Sequence, residues 1–216
     1  MTRLYIDSAA PAEWQAAAQA ALVRRATCNP LLMQAAGWPV SLDTATELVR
    51  QAEAVGLEEL HLQAWPSTPG NWMDVGLRLA ALSPRVVVKL PAIPDAMRAA
   101  KALKQRGTRV LVTAVSNPLH GLWAADVGAD FVAPYVGRLN ESGRDAHALI
   151  DTLVVLQNRQ GPMVLAASVR DLAMLGRLVT QGVGAVTLRK NLLDEALADE
   201  ATLSAVAQFE NVRSGG

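Results

Sequence analysis

The chain has 216 residues, with 20 Lys+Arg against 20 Asp+Glu, 51% hydrophobic residues and 4% aromatic. Zero formal net charge supplies no long-range field for nucleic acid or an anionic membrane, so the expected partner is a small molecule held at a local site. No apolar run reaches the roughly 18 residues of a spanning helix, and the start MTRLYIDSAAP lacks a basic segment followed by an apolar block. One cysteine forms no internal disulfide, and a reducing, cytoplasmic compartment is expected.

In chain order, short β-branched or apolar runs alternate with longer stretches of helical period. RLYID near residue 5 precedes PAEWQAAAQAALV, ATCNP near 28 precedes LDTATELVRQAEAVG, and EELHLQAW near 62 precedes WMDVGLRLAALS. VVVKLP near 88 precedes PDAMRAAKALKQRG, RVLVTAV near 112 precedes LHGLWAADVGA, and FVAPYVGR near 134 precedes RDAHALIDTLVVLQNR. MVLAAS near 166 precedes VRDLAMLGRLVTQGVG, and AVTLRK near 187 precedes a last helical stretch. Several helical stretches end in glycine, at 56, 107, 128 and 184, the residue that turns a finished helix back toward a sheet. Strict alternation implies parallel strands with right-handed crossovers, and eight units favour closure. The predicted fold class is therefore α/β, a (β/α)₈ TIM barrel, read as a single domain over residues 1–216. An open doubly wound sheet is the alternative, but no strand-to-helix turn carries a G-x-G-x-x-G or G-x-x-x-x-G-K-[ST] phosphate loop.

Strand parity locates the candidate site. Side chains alternate, so one parity faces the helices and should be apolar, while the other faces the barrel interior. In VVVKLP the helix-facing set is Val86, Val88 and Leu90, which leaves Val87 and Lys89 inside. The same split puts Tyr5 and Asp7, Thr27 and Asn29, His61 and Gln63, Leu111 and Thr113, Ala133 and Tyr135, Ala166 and Ser168, and Thr187 and Arg189 inside. The last inward position of every strand is thus polar: Asp7, Asn29, Gln63, Lys89, Thr113, Tyr135, Ser168 and Arg189. Together they converge on the C-terminal mouth, where barrel enzymes build their sites. Singly, each has a plainer reading as a helix cap, a turn starter or a satisfied strand end.

Lys89 is the sharpest feature, because an ammonium inside an apolar β run is expensive unless paired. It is either half of a structural ion pair with Asp7 or an amine that desolvation readies to attack a carbonyl and form a Schiff base. Of the other lysines, Lys101 and Lys104 fall on an amphipathic helix as solvated charges, and Lys190 lies beyond the last strand as a rim charge. His61, His120 and His147 are scattered and Cys28 stands alone, so no metal site is expected. By parity Cys28 points toward the helices as a buried structural thiol.

At these strand ends the chain resembles the transaldolase family, in particular its short subfamily containing fructose-6-phosphate aldolase. The shared order runs from LYIDSA through TCNP, LQAW, VVVKLP, VTAVS, FVAPYVGRLN and VLAASVR to AVAQFE, nearly the whole length, with VVVKLP and APYVGR the specific motifs. The resemblance implies a class I aldolase-like barrel in which Lys89 forms the Schiff base, Asp7 and Asn29 contact substrate hydroxyls with Asp7 also easing proton transfers, and Thr27 is a further substrate-binding residue. It makes Arg138, Ser168 and Arg170 the sugar-phosphate site, and it gives Gln63, Thr113 and the Tyr135 phenol the catalytic water. No cofactor or metal is implied, since the lysine supplies the electrophile.

Gln63 and Ala133-Pro134-Tyr135 are as in the aldolase branch rather than the strict transaldolases. The expected reaction is therefore cleavage or formation of a ketose phosphate, such as fructose 6-phosphate, from dihydroxyacetone and glyceraldehyde 3-phosphate. The alternatives are a transaldolase and a non-catalytic sugar-phosphate-binding barrel. The resemblance also implies a homo-oligomer, pentamer or decamer, with the C-terminal helix, about 200–212, packed on a neighbouring subunit. Two departures stand out: the usual TTNPS is here Thr27-Cys28-Asn29-Pro30-Leu31, and a Pro-Leu pair after the last strand is replaced by Arg189-Lys190.

Overall fold

The computed structural model describes residues 1–214; Gly215 and Gly216, the end of the expected domain, lie outside it. Eight parallel strands close into a barrel in chain order: β1 (Arg3–Asp7), β2 (Arg25–Thr27), β3 (Glu59–Gln63), β4 (Val86–Pro91), β5 (Val110–Val115), β6 (Phe131–Pro134), β7 (Met163–Ala166) and β8 (Ala185–Leu188), with β8 pairing back onto β1. Around them run α1 (Pro11–Gln19), α2 (Pro30–Ala35), α3 (Leu42–Ala54), α4 (Met73–Ala80), α5 (Pro94–Gln105), α6 (Pro118–Asp126), α7 (Val136–Glu141), α8 (Ala146–Asn158), α9 (Leu172–Thr180) and α10 (Lys190–Leu197), followed by α11 (Glu200–Ser214). The expected (β/α)₈ barrel is the fold. Among the described residues no helix is long and apolar enough to cross a membrane.

Local sequence sets the helix starts. Asn29-Pro30 and Asn117-Pro118 place proline in the first turn, where its missing N–H costs nothing, while each asparagine Oδ1 accepts from the N–H three residues on, Leu32 at 3.0 Å and His120 at 3.2 Å. Ser41, Asp145 and Asp171 cap α3, α8 and α9 the same way. Gly56, Gly107 and Gly128 end helices in the left-handed region as expected, but in QGVG the left-handed residue is Gly182, at φ 85°, not Gly184. Gly184 is needed for space: a Cβ there would lie 2.4 Å from Met163 Cγ. Several strand runs also stop sooner than their composition suggests. FVAPYVGR leaves the sheet at Pro134, and Val136-Gly137-Arg138 opens the short helix α7; the Asn29-Pro30 and Arg189-Lys190 ends likewise pass into α2 and α10.

Two apolar layers follow from the strand parity. Ile6, Leu62, Val88, Val112, Val132 and Val186 face outward against buried helix residues such as Trp14, Leu48, Leu103 and Ile150. Tyr5, Val87, Leu111, Phe131, Ala133, Leu165 and Ala185 fill the barrel axis. Here β7 departs from the sequence reading: Leu165 points inward and Ala166 outward, one residue out of step with the predicted pair Ala166 and Ser168. The alternation is uninformative there because MVLAA is apolar at every position.

The floor of the barrel is polar but closed. Glu59, 5% exposed, accepts from Tyr5 Oη at 2.5 Å and His61 Nε2 at 2.6 Å, and its other oxygen accepts from Arg109 Nη2. The fully buried His61 ring packs between Tyr5 and Phe131, and its Nδ1 has no partner. Burial lowers the imidazole pKa against the pull of Glu59, and a neutral Nε2–H tautomer leaves Nδ1 as an unused acceptor rather than a stranded donor. Burial opposes charge on Glu59 too, but donors from His61, Tyr5 and Arg109 outweigh it and hold the carboxyl at about 2.

Both shifts have one sign in acid. An unfolded imidazole takes up a proton below about pH 6.5 and an unfolded Glu near pH ~4.3, whereas the folded groups resist, so folding loses stability as pH falls through those windows and on toward about 2. Glu59→Gln, which takes the carboxylate away from three donors, is expected to cost about 2 kcal/mol at pH 7, a Tm roughly 4–8 °C lower, and to flatten the decline below about pH 4.5 in thermal melts. A wild-type Tm that does not fall between pH 7 and 4 contradicts this account.

Candidate active site

Above this floor the barrel opens at the C-terminal strand ends into a cavity lined from every strand except β3. Lys89 stands in its wall, 5% exposed, with Nζ donating to the Cys28 carbonyl at 2.9 Å. No carboxylate pairs with it among the described residues; the alternative of an Asp7 ion pair is not realised. Asp7 instead accepts from Thr27 Oγ1 at 2.7 Å through one oxygen and lies 3.4 Å from Arg189 Nε through the other. Thr27 Oγ1 is also 2.7 Å from Thr187 Oγ1. Because the Thr27 proton is committed to Asp7, Thr187 must donate, and a one-way hydroxyl chain crosses from β8 to β2 to Asp7 on β1.

On the other side of the cavity, Thr113 Oγ1 donates to Tyr135 Oη at 2.9 Å, leaving the phenol proton free to hold a water or a substrate hydroxyl. The Arg138 guanidinium lies 5.1 Å from the Tyr135 ring centroid, exposed and without an ion-pair partner among the described residues. Arg170 Nη2 contacts Glu141 at 2.8 Å. Ser168 reaches the cavity by an unusual route. Its φ of 61° turns the chain just after β7, so its buried, unpartnered Oγ sits in the lining although strand parity alone would send it outward. Gly137 makes this possible: its N–H donates to Ser168 O at 2.9 Å, and a Cβ there would come within 2.3 Å of that oxygen and 2.7 Å of Arg170 Nε.

Nine of the ten predicted site residues therefore meet in one cavity: Asp7, Thr27, Asn29, Lys89, Thr113, Tyr135, Arg138, Ser168 and Arg170. Gln63 does not; it is level with Lys89 in the β3–β4 register but is absent from the lining. Thr187, inward by parity, also lines the cavity, and so does Arg189. Lys190 is spent on Asp194 at 2.5 Å, and Lys104 is not the solvated charge expected but a half-buried partner of Asp130 at 2.7 Å. Among the described residues no cluster of His, Cys, Asp and Glu is arranged to hold a metal.

Residues 4–214 match the family described as Transaldolase/Fructose-6-phosphate aldolase. The chain belongs to that family. It is 30% identical over 215 residues to a protein of Desulfatibacillum aliphaticivorans named probable transaldolase, covering 96% of this chain and 98% of that one. It is 28% identical over 209 residues to a probable transaldolase of an Exiguobacterium strain, covering 96% and 95%. Family membership over the full barrel agrees with an enzyme of the transaldolase and aldolase kind, and the family's fold is the closed barrel described above.

The thiol beside the site is inert by construction. Cys28 is fully buried on the helix side, as parity predicts, and burial pushes it up to about 12, a rise that nearby Lys89 only partly offsets. Iodoacetamide at pH 8 is expected to leave folded protein unlabelled and to modify one thiol per chain in urea. Stoichiometric labelling of the folded protein would show that the thiol faces the cavity instead.

Proposed function

We propose that the chain is a Schiff-base aldolase acting on a ketose phosphate such as fructose 6-phosphate. One observation carries the reading: a buried amine with no counter-ion among the described residues, Lys89, shares one cavity with the free guanidinium of Arg138. Arg138, Ser168 and Arg170 would bind the phosphate, Arg170 exchanging Glu141 for the ligand and Ser168 finding the partner it lacks.

Lys89 attacks the C2 ketone as the free amine, and loss of water gives an iminium. A water held by the Tyr135 phenol and Thr113, with the Gln63 amide level with Lys89 at the end of β3, takes the C4 hydroxyl proton. The electrons of the C3–C4 bond move into the iminium, an aldehyde such as glyceraldehyde 3-phosphate leaves, and an enamine of dihydroxyacetone remains on Lys89. The same water returns that proton to C3, which restores the iminium. Water then adds at C2, dihydroxyacetone departs, and the amine is regenerated. Asp7, oriented by Thr27, and the Asn29 amide face the donor hydroxyls. If an aldehyde captures the enamine before water does, the same site is a transaldolase, the reading that the names of the two relatives favour. The Thr113–Tyr135 pair, poised to hold water, supports hydrolysis.

The test is release of free dihydroxyacetone from fructose 6-phosphate with and without an acceptor aldehyde. Release without acceptor is expected, falling at least a thousandfold in Lys89→Met and roughly ten- to a hundredfold in kcat for Tyr135→Phe. Release that needs the acceptor makes the enzyme a transaldolase, and binding without any turnover makes it a sugar-phosphate-binding barrel. The reading includes a cytoplasmic homo-oligomer. It is supported by α11, where Leu203, Val206, Phe209 and Val212 are all exposed, as suits a helix covered by a neighbouring subunit.

A further inference from the structure

The proposed reaction leaves one cation of the mouth without a task. In a closed eight-stranded barrel β4 and β8 face one another, so Lys89 has the Arg138, Ser168 and Arg170 group to one side and Asp7 with Asn29 to the other. Arg189, at the end of β8, leans to the second side, with Nε 3.4 Å from Asp7 and no other ion-pair partner among the described residues. That contact is long and uses the inner nitrogen. It leaves the two terminal amino groups, the fork that grips an oxyanion, unpartnered on a half-exposed side chain lining the mouth.

There is also room for what such a fork would hold. Past Asp7 and Arg189 the mouth adjoins a second, open cavity between α1, α2 and α10, walled by Ala9, Ala10, Ala35 and Ala36. A substituent larger than hydroxymethyl, on the donor carbon beside Asp7, can extend into it. The cavity is not itself cationic: Glu13 lines it, and its Lys190 is already neutralised by Asp194. A negative group entering from the mouth therefore meets its best partner at the threshold. Asp7 would repel that group unless Arg189 turned its fork to it, which the weak Nε contact permits.

Resting on the aldolase reading above, we propose that Arg189 is a specificity-determining residue that recognises a second anionic group on the terminal carbon of the donor half. The chain then selects ketoses phosphorylated at both ends over those phosphorylated at the acceptor end alone. No bond to Arg189 forms or breaks in the reaction; it acts through affinity.

The test pairs binding with turnover. Glucitol 6-phosphate and glucitol 1,6-bisphosphate, polyols with no ketone to react, are titrated calorimetrically into wild type, Arg189→Gln and Arg189→Lys. Cleavage of fructose 6-phosphate and fructose 1,6-bisphosphate is measured in parallel. Wild type is expected to bind the bisphosphate at least tenfold more tightly than the monophosphate. That ratio should collapse roughly ten- to a hundredfold in Arg189→Gln and survive in part in Arg189→Lys. An equal ratio in wild type and Arg189→Gln, with both ligands weakened together, overturns the inference, because Arg189 then serves the Arg138 phosphate or acts through Asp7. An Arg189-dependent preference without cleavage of either ketose upholds the inference and overturns the aldolase reading. Cleavage without that preference does the reverse.

Discussion

Everything at the mouth depends on one constraint: a closed parallel barrel turns the same parity of every strand toward a common axis and brings every C-terminal end to one rim. Residues far apart in sequence become neighbours without any of them being local to another. Thr187, Thr27 and Asp7 form a hydroxyl chain over three strands, and Lys89 reaches the carbonyl of Cys28 sixty-one positions earlier. The floor must then be plugged for the rim to work. Glu59, with its donors Tyr5, His61 and Arg109, fills the lower barrel, so the cavity opens at one end only.

The same constraint explains how a chain of zero net charge builds a cationic pocket. Lys89, Arg138, Arg170 and Arg189 share the lining with one carboxylate, Asp7, while the acids that balance them stand outside it. Glu141 meets Arg170 at the edge, and Asp194 takes Lys190 out of play. Arginine suits these positions because it remains charged and offers a planar fork to an oxyanion, and each guanidinium here retains donors without a partner among the described residues.

The barrel was legible because the alternation of strand and helix is a global pattern, and the rim because parity is a local one. Both readings fail where the chain stops being regular. At β7 the run MVLAA gives parity nothing to act on, and Ser168 enters the site through a left-handed turn that no composition announces. Ala114, with φ 57°, breaks the β5–β6 register in the same way just past Thr113. Gln63 fits the parity rule and the family resemblance, yet stays out of the cavity lining. Glu59 was readable in principle: it shares its parity with His61, so an inward acid two residues before an inward histidine was already in the sequence. The Arg189 contact was not readable, since the partner of a long side chain depends on rotamers rather than register.

In the proposed mechanism Lys89 is the residue that bonds the substrate. Incubation with dihydroxyacetone and borohydride, followed by peptide mass spectrometry, measures that bond directly, because reduction freezes the iminium as a secondary amine. One stable adduct per chain is expected, on the peptide containing Lys89, with Lys101, Lys104 and Lys190 unmodified. An adduct on Lys190, or none under conditions that label a known relative, would contradict the mechanism.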